Sequence, residues 1–106
     1  KKLLVVFQPH LFSSTRDFAE GFAESLDAAD ELLLLDIYPA RELQKDFEGI
    51  TSDWLLEKIK LKKKEVCSLN QAFDKIKEKD FDILLTVGAG NIDTLYDPIM
   101  NWLGSN

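Results

Sequence analysis

Two short stretches carry the side chains that could do chemistry, and each follows an apolar run. The first is Phe7-Gln8-Pro9-His10, which holds the only histidine of the chain and leads into Ser14 and Arg16. The second is Gly88-Ala89-Gly90-Asn91, which follows the apolar residues 83–87. In α/β proteins, ligands bind where parallel strands end and hand over to helices. The two stretches therefore predict one site built from two turns.

Each candidate residue in these turns allows two interpretations. His10 could cap a carbonyl group, or it could contact a ligand or transfer a proton. Arg16 could pair with Asp17 or Glu20, or it could reach the carboxylate of a ligand. The glycine turn could be purely structural, or its backbone amides could hold an anion such as a carboxylate or phosphate. The turn lacks the third glycine of a dinucleotide fingerprint and the lysine of a nucleotide-binding loop.

Composition places the chain among ordinary soluble domains. It has 106 residues, which predicts one domain, and a net charge of -6, which argues against a nucleic-acid or anionic-membrane partner. The single Cys67 cannot form an internal disulfide, and no residues have metal-ligand spacing. The only methionine is Met100. We expect a cytoplasmic piece of a longer protein.

Hydrophobic periodicity predicts strands that alternate with helices. Residues 3–7 and, apart from Asp36, residues 32–37 are apolar on both faces, as in parallel strands covered by helices on both sides. Shorter strands are predicted at 65–68 and 82–87. Helices are predicted over 15–26, from 51 or 52 to about 59, over 68–79, and from about 92 to 103, with Phe18, Phe22 and Leu26 facing the core in the first of them.

Capping residues sharpen these helix predictions. Ser14 or Thr15 is expected to cap the first helix and Thr51 or Ser52 the next, while Ser68 and Gln71 form a capping box. Pro98 predicts a kink or a late start of the last helix. The lysines at 58, 60 and 62–64 are interpreted as a solvated face at a helix end, with a phosphate or polyanion contact as the alternative.

Four strand–helix units predict a Rossmann-like three-layer α/β domain with a mainly parallel sheet and helices on both faces. The strand order 3-2-1-4 would place strands 1 and 4 side by side. A crevice between their ends is the expected ligand site. His10 and the glycine turn would both line it.

Four motifs in order resemble a known enzyme family. The motifs are Phe7-Gln8-Pro9-His10, Thr15-Arg16-Asp17, Leu34-Leu35-Asp36-Ile37-Tyr38-Pro39-Ala40 and Gly88-Ala89-Gly90-Asn91-Ile92. Together they resemble the C-terminal domain of the Mur ligases of peptidoglycan synthesis. The resemblance spans essentially all of residues 1–106. It implies that an N-terminal UDP-sugar domain and a central ATPase domain lie outside this chain.

The resemblance also implies an activity and a site. In the full-length enzyme, ATP with Mg²⁺ would phosphorylate the carboxylate of UDP-N-acetylmuramate, and the amine of L-alanine would attack the acyl phosphate. The C-terminal domain would close on the central domain and hold the amino acid. The substrate-binding residues implied are His10, Ser14, Arg16 and the turn Gly88-Ala89-Gly90-Asn91, with no catalytic residue or metal ligand in this chain.

This chain departs from the family pattern after His10. Members often carry arginine where it has Leu11 and Ser14, so that Arg16 is the one arginine of three that remains. Two alternatives stay open. One is the related ligase that attaches a recycled tripeptide to UDP-N-acetylmuramate, and the other is a non-catalytic α/β module that binds a partner.

Overall fold

A parallel sheet of four strands forms the centre of the computed structural model, which describes residues 1–88 and 90–104. Each strand is bonded to its neighbours in parallel, in the predicted order β3-β2-β1-β4. The predicted strands are confirmed, with bounds that shift by one or two residues. The strands are β1 (Leu3–Gln8), β2 (Glu31–Leu35), β3 (Lys64–Cys67) and β4 (Ile83–Gly88).

Helices cover both faces of the sheet, which confirms the predicted three layers. On one face α2 and α3 pack against Val5, Phe7, Leu32 and Leu34. On the other face α4, α5 and a short 3-10 segment pack against the alternate residues of the same strands. The helices are α1 (Phe12–Asp17), α2 (Ala19–Leu26), α3 (Ser52–Lys58), α4 (Leu69–Glu78) and α5 (Tyr96–Gly104), with 3-10 segments at Gln44–Asp46 and Asn91–Leu95.

The prediction of one helix over residues 15–26 is wrong. The structure has two helices that meet at Phe18, whose φ of -113° and ψ of 18° lie outside the helical region. Phe18 is 64% exposed instead of facing the core, and Phe22 is only partly buried. The first helix begins at Phe12, so neither Ser14 nor Thr15 caps it.

The other capping predictions are confirmed. The Thr51 hydroxyl accepts a hydrogen bond from the Trp54 amide at 3.1 Å, and the Ser68–Gln71 capping box is present. The α-helical turns after the glycine turn begin late, at Tyr96, with Pro98 in the first turn. Lys64 donates to the carbonyl groups of Leu56 and Ile59 at the end of α3. That contact agrees with the interpretation that the lysines complement a helix end.

The edge strand β4 keeps one apolar face open. Ile83, Leu85 and Val87 are 49%, 47% and 38% exposed, whereas Leu84 on the opposite face of the strand is partly buried against the core. An open groove between this face and α2 is lined by Val5, Phe22 and Leu85, among others. Within the described residues, β1 and β2 are therefore the strands that lie fully inside the core.

The reactivity of the Cys67 thiol measures how tightly the core is packed around β3. It is 4% exposed, and burial raises the pKa of its thiol, with the charge of Glu65 acting in the same direction. We expect a thiol reagent to label it about 100-fold more slowly than an exposed cysteine, because labelling requires transient opening. A Cys67→Ser, Ser25→Cys double variant supplies the exposed control. Equal labelling rates would show that β3 is not packed as described.

Candidate functional site

The ends of β1 and β4 lie side by side, as the predicted crevice requires. The two strands are paired over six residues, from Leu3 with Ile83 to Gln8 with Gly88. The last pair, Gln8 with Gly88, stands immediately before the two candidate stretches continue. Gly88 has a φ of +144°, and a Cβ atom built on it would lie 2.6 Å from the Gln8 carbonyl oxygen. A side chain therefore does not fit at position 88 without a shift of the backbone.

Gln8 joins the two turns through its side chain. Its Nε2 donates to Asn91 Oδ1 at 2.7 Å, and its Oε1 accepts from the Ile92 amide at 2.9 Å. Because an amide N–H can only donate, the contact with Ile92 fixes which way the Gln8 side chain points. Gln8 is 4% exposed, so both polar ends must be satisfied by protein partners. Gln8 therefore joins the end of β1 to the start of the 3-10 segment Asn91–Leu95 by two side-chain hydrogen bonds.

Gln8 lies in the first of the four motifs but is not among the predicted site residues. The available signal was its place as a polar side chain at the end of a fully apolar run, where burial demands a partner. Its bond to Ile92 also changes the expectation for the glycine turn. The turn leads into a 3-10 segment, and one amide there is already used. Fewer backbone amides are left for an anion than an open helix start would offer.

Tyr38 connects His10 with the glycine turn. The rings of His10 and Tyr38 are stacked with centroids 5.8 Å apart and planes 13° from parallel. A Cβ atom built on Gly90, whose φ is +120°, would lie 2.7 Å from Tyr38 Cγ. The half-buried Tyr38 ring thus contacts both predicted turns. Tyr38 is not among the site residues predicted from the sequence. The signal for it was the Tyr38-Pro39 pair after the second strand, beside β1 in the predicted order.

The backbone around His10 is held by the same segment. Tyr38 N donates to the Pro9 carbonyl group and Leu11 N donates to the Tyr38 carbonyl group, each at 2.8 Å. These two bonds flank the isolated parallel bridge between His10 and Tyr38. The His10 side chain itself is exposed. It can therefore contact a ligand or another domain while its backbone stays fixed.

Arg16 has the ion pair that was one of its two interpretations. Its Nε lies 2.9 Å from Asp17 Oδ1, and its guanidinium lies over the Phe47 ring, 5.3 Å from the centroid. The hydrogen bond with Asp17 and the charge of Asp17 raise the pKa of Arg16. Both partners of the pair are about half exposed. The nearby Ser14 is half-buried in α1, and its carbonyl group accepts from the Phe18 amide at 3.0 Å.

Of the seven predicted substrate-binding residues, the structure brings four to the ends of β1 and β4. These four are His10, Gly88, Gly90 and Asn91. Ser14 and Arg16 lie on α1, and the contacts of Arg16 are with its own helix and with Phe47. Ala89 lies outside the described residues.

Glu42 is a charged residue beside the site, in contact with α1, that is not among the residues predicted from the sequence. Its Oε1 accepts from the Ser13 amide at 3.0 Å and its Oε2 from the Ser13 hydroxyl at 2.5 Å. Desolvation pushes its pKa upward, but the bonds from Ser13 and the charge of Arg16 outweigh this, so the pKa lies below its ordinary value. The stabilisation from this contact is therefore present at neutral pH and is lost as the pH falls through the lowered pKa.

Residues 1–88 and 90–104 contain no group of three or more His, Cys, Asp or Glu side chains that could hold a metal ion. In the same residues, no helix has the length and apolar character needed to cross a membrane.

The fold and the paired turns define a class of protein. A parallel sheet with helices on both faces, whose adjacent strands end in a histidine loop and a glycine turn, is a Rossmann-like domain. In such domains the ends of adjacent parallel strands are the usual place for a ligand. No family model matches the chain. Proteins named as UDP-N-acetylmuramate–L-alanine ligases do match it.

Three such relatives cover nearly all of this chain. The ligase of Flavobacterium johnsoniae is 50% identical over 106 residues, which are 100% of this chain and 23% of that protein. The ligase of Cytophaga hutchinsonii is 52% identical over 99 residues, 93% of this chain and 21% of that protein. The ligase of Phocaeicola vulgatus is 42% identical over 104 residues, 97% of this chain and 22% of that protein.

The chain therefore belongs to the Mur ligase family, and the resemblance inferred from its four motifs is confirmed. It spans about a fifth of the length of these curated relatives.

Proposed function

We propose that this chain is the C-terminal domain of a three-domain cytoplasmic ligase that joins L-alanine to UDP-N-acetylmuramate in peptidoglycan synthesis. The observation that carries the proposal is the 50% identity to an alanine ligase over the whole chain. The site supports it because His10 and the glycine turn, the two motifs expected to face the substrate, are joined through Gln8 and Tyr38.

In the full-length ligase, ATP and Mg²⁺ would supply the phosphoryl group that activates the muramate carboxylate. The described residues offer no cluster for the metal, so it would be held by the other domains. The role proposed for this chain is to close over the central domain and orient the amino acid. His10, Ser14, Arg16, Gly88, Ala89, Gly90 and Asn91 are the residues proposed to contact it.

The direct test is an assay of the full-length protein with ATP, UDP-N-acetylmuramate and one amino-acid substrate at a time. We expect product of the mass of the L-alanine adduct, formed only when ATP is present. Ligation of a tripeptide in place of L-alanine would assign the protein to the related recycling enzyme. A folded protein that binds no UDP-N-acetylmuramate and consumes no ATP would support a non-catalytic binding module.

Arg16 gives a sharper test of the amino-acid site. Replacing it by alanine in the full-length ligase is expected to raise the KM for L-alanine about tenfold, because a charge-assisted contact with a carboxylate contributes about 1.5–3 kcal/mol. The melting temperature should change little, since an exposed ion pair such as Arg16–Asp17 contributes little stability. Conversely, Ser14→Arg should lower the KM for L-alanine.

Arg41→Ala is the comparison variant, because Arg41 is an exposed arginine of the loop after β2 and is itself a candidate for the cation that Leu11 and Ser14 do not supply. If Arg16→Ala leaves the KM unchanged and lowers the melting temperature, Arg16 serves only the structural ion pair with Asp17.

A further inference from the structure

The loop that carries His10 has a backbone that needs external support. Leu11, the next residue, has a φ of 68° and a ψ of 139°, which L side chains rarely adopt. Leu11 and Ala40, with a φ of 52°, are the non-glycine residues with positive φ within the described residues. Both lie in the two segments that contact each other at this site. Strain of this kind persists only where surrounding contacts determine it.

Glu42 supplies a contact that the helix after this loop lacks. Leu11 stands at the N-cap position of α1 and has no side-chain acceptor, so the first amides of α1 need another partner. The Thr15 hydroxyl does not accept from these amides, because it donates to the Leu11 carbonyl group at 2.8 Å. Glu42 reaches across from the loop after β2 and accepts both the amide and the hydroxyl hydrogen of Ser13. It thus caps α1 from a distance of 29 residues along the chain.

Glu42 and Tyr38 belong to one segment after β2, and together they contact the loop that carries His10 at two points. The Glu42 amide donates to the Pro39 carbonyl group at 2.9 Å, which closes the turn between them. Tyr38 contacts the His10 ring and the Leu11 amide on one side, and Glu42 holds Ser13 on the other. The strained residue Leu11 lies between these two points of attachment. Leu11 is thus held in its strained conformation by contacts on both sides, and it is directly followed along the chain by α1 and preceded by His10.

We propose that Glu42 is a positioning residue for the amino-acid substrate, which acts through Ser13 and Leu11 on the placement of His10. This inference rests on the proposed function, since it assumes that His10 faces the amino acid. Glu42 itself touches α1 and not the crevice. Its role is to keep the loop in the binding conformation before the substrate arrives, which lowers the cost of ordering on binding.

The test uses the full-length ligase with Glu42→Ala and Glu42→Gln. Glu42→Ala should raise the KM for L-alanine about tenfold and leave the KM values for ATP and UDP-N-acetylmuramate within about twofold, because charge-assisted bonds to Ser13 are lost. For Glu42→Gln, the KM for L-alanine should lie between the values for Glu42→Ala and the unmodified enzyme, since the side-chain amide oxygen still accepts from the Ser13 amide. The matched control is Glu48→Ala, because Glu48 is an exposed glutamate in the same segment between β2 and α3. This variant should leave the KM for L-alanine unchanged.

Hydrogen exchange provides a second readout that does not depend on turnover. The Ser13 amide should exchange faster in Glu42→Ala than in Glu48→Ala. A lower melting temperature with an unchanged KM for L-alanine would overturn the proposal, because it would assign Glu42 a merely structural role. Unchanged exchange at Ser13 would also overturn it. An unmodified enzyme that fails to ligate L-alanine would instead refute the proposed function on which the inference rests.

Discussion

Gly88→Ala is expected to destabilise the chain by on the order of 2–4 kcal/mol. The added Cβ atom would meet the Gln8 carbonyl oxygen at 2.6 Å, and the φ of +144° is unfavourable for alanine. Backbone strain and overpacking each cost about 1–3 kcal/mol. Urea denaturation should show the loss as a lower midpoint with an unchanged slope.

Gly21→Ala is the matched control for this substitution. Gly21 lies in α2, and a Cβ atom there would meet nothing within 4 Å. Alanine in a helix is favoured over glycine, so this variant should be as stable as the unmodified chain or more stable by about 0.5–1 kcal/mol. If Gly88→Ala and Gly21→Ala gave the same unfolding midpoint, β4 would not approach Gln8 as described.

Gln8→Leu is expected to destabilise the chain by about 1–3 kcal/mol, because the Ile92 amide would lose its acceptor in a buried position. It should also separate the two turns, since no side chain would then join β1 to Asn91. In the full-length ligase, we expect a higher KM for L-alanine. The measurements are urea denaturation for stability and initial rates for the KM.

Gln8→Glu is the informative companion to Gln8→Leu. A carboxylate keeps an acceptor for the Ile92 amide, and Asn91 can rotate its side-chain amide to donate to the second oxygen. The stability loss should therefore be smaller than for Gln8→Leu. If leucine and glutamate at position 8 were equally stable and equally active, the hydrogen bonds of Gln8 would not hold the turns together.

The sheet could be predicted from the sequence because its strands are continuous apolar runs. Residues 3–7 and 32–37 carry no polar alternation, which indicates central strands, and the rules of parallel crossovers leave few orders for four strands. The neighbouring ends of β1 and β4 follow from that order. Strand bounds were less accurate, since Ile37 is buried and apolar but lies beyond the last pairing of β2.

The start of α1 could not be predicted from local sequence. Its cap comes from Glu42, which lies in another loop, and its N-cap residue Leu11 adopts a φ that leucine rarely takes. Local rules favoured Ser14 or Thr15 because their hydroxyl groups are ordinary caps. Tertiary contacts overrode that preference. α1 then ends at Asp17, and Phe18 after it is exposed.

The location of the site could be predicted from the sequence, but several of the side chains that form it could not. Strand order brought His10 and the glycine turn together, but the residues that join them, Gln8 and Tyr38, required three-dimensional contacts to recognise. Tyr38 is distant from both turns in sequence. Its role depends on the close approach of Gly90, which only the backbone geometry reveals.

The most direct test of the central claim is a segment exchange in the Flavobacterium johnsoniae ligase, which is 50% identical to this chain over 106 residues. The matching 106 residues of that protein would be replaced by this chain, and ligation of L-alanine to UDP-N-acetylmuramate would be measured. We expect the exchanged enzyme to ligate L-alanine, and we expect Gln8→Leu within it to raise the KM for L-alanine. An exchanged enzyme that folds and binds UDP-N-acetylmuramate but does not ligate L-alanine would contradict the proposed function.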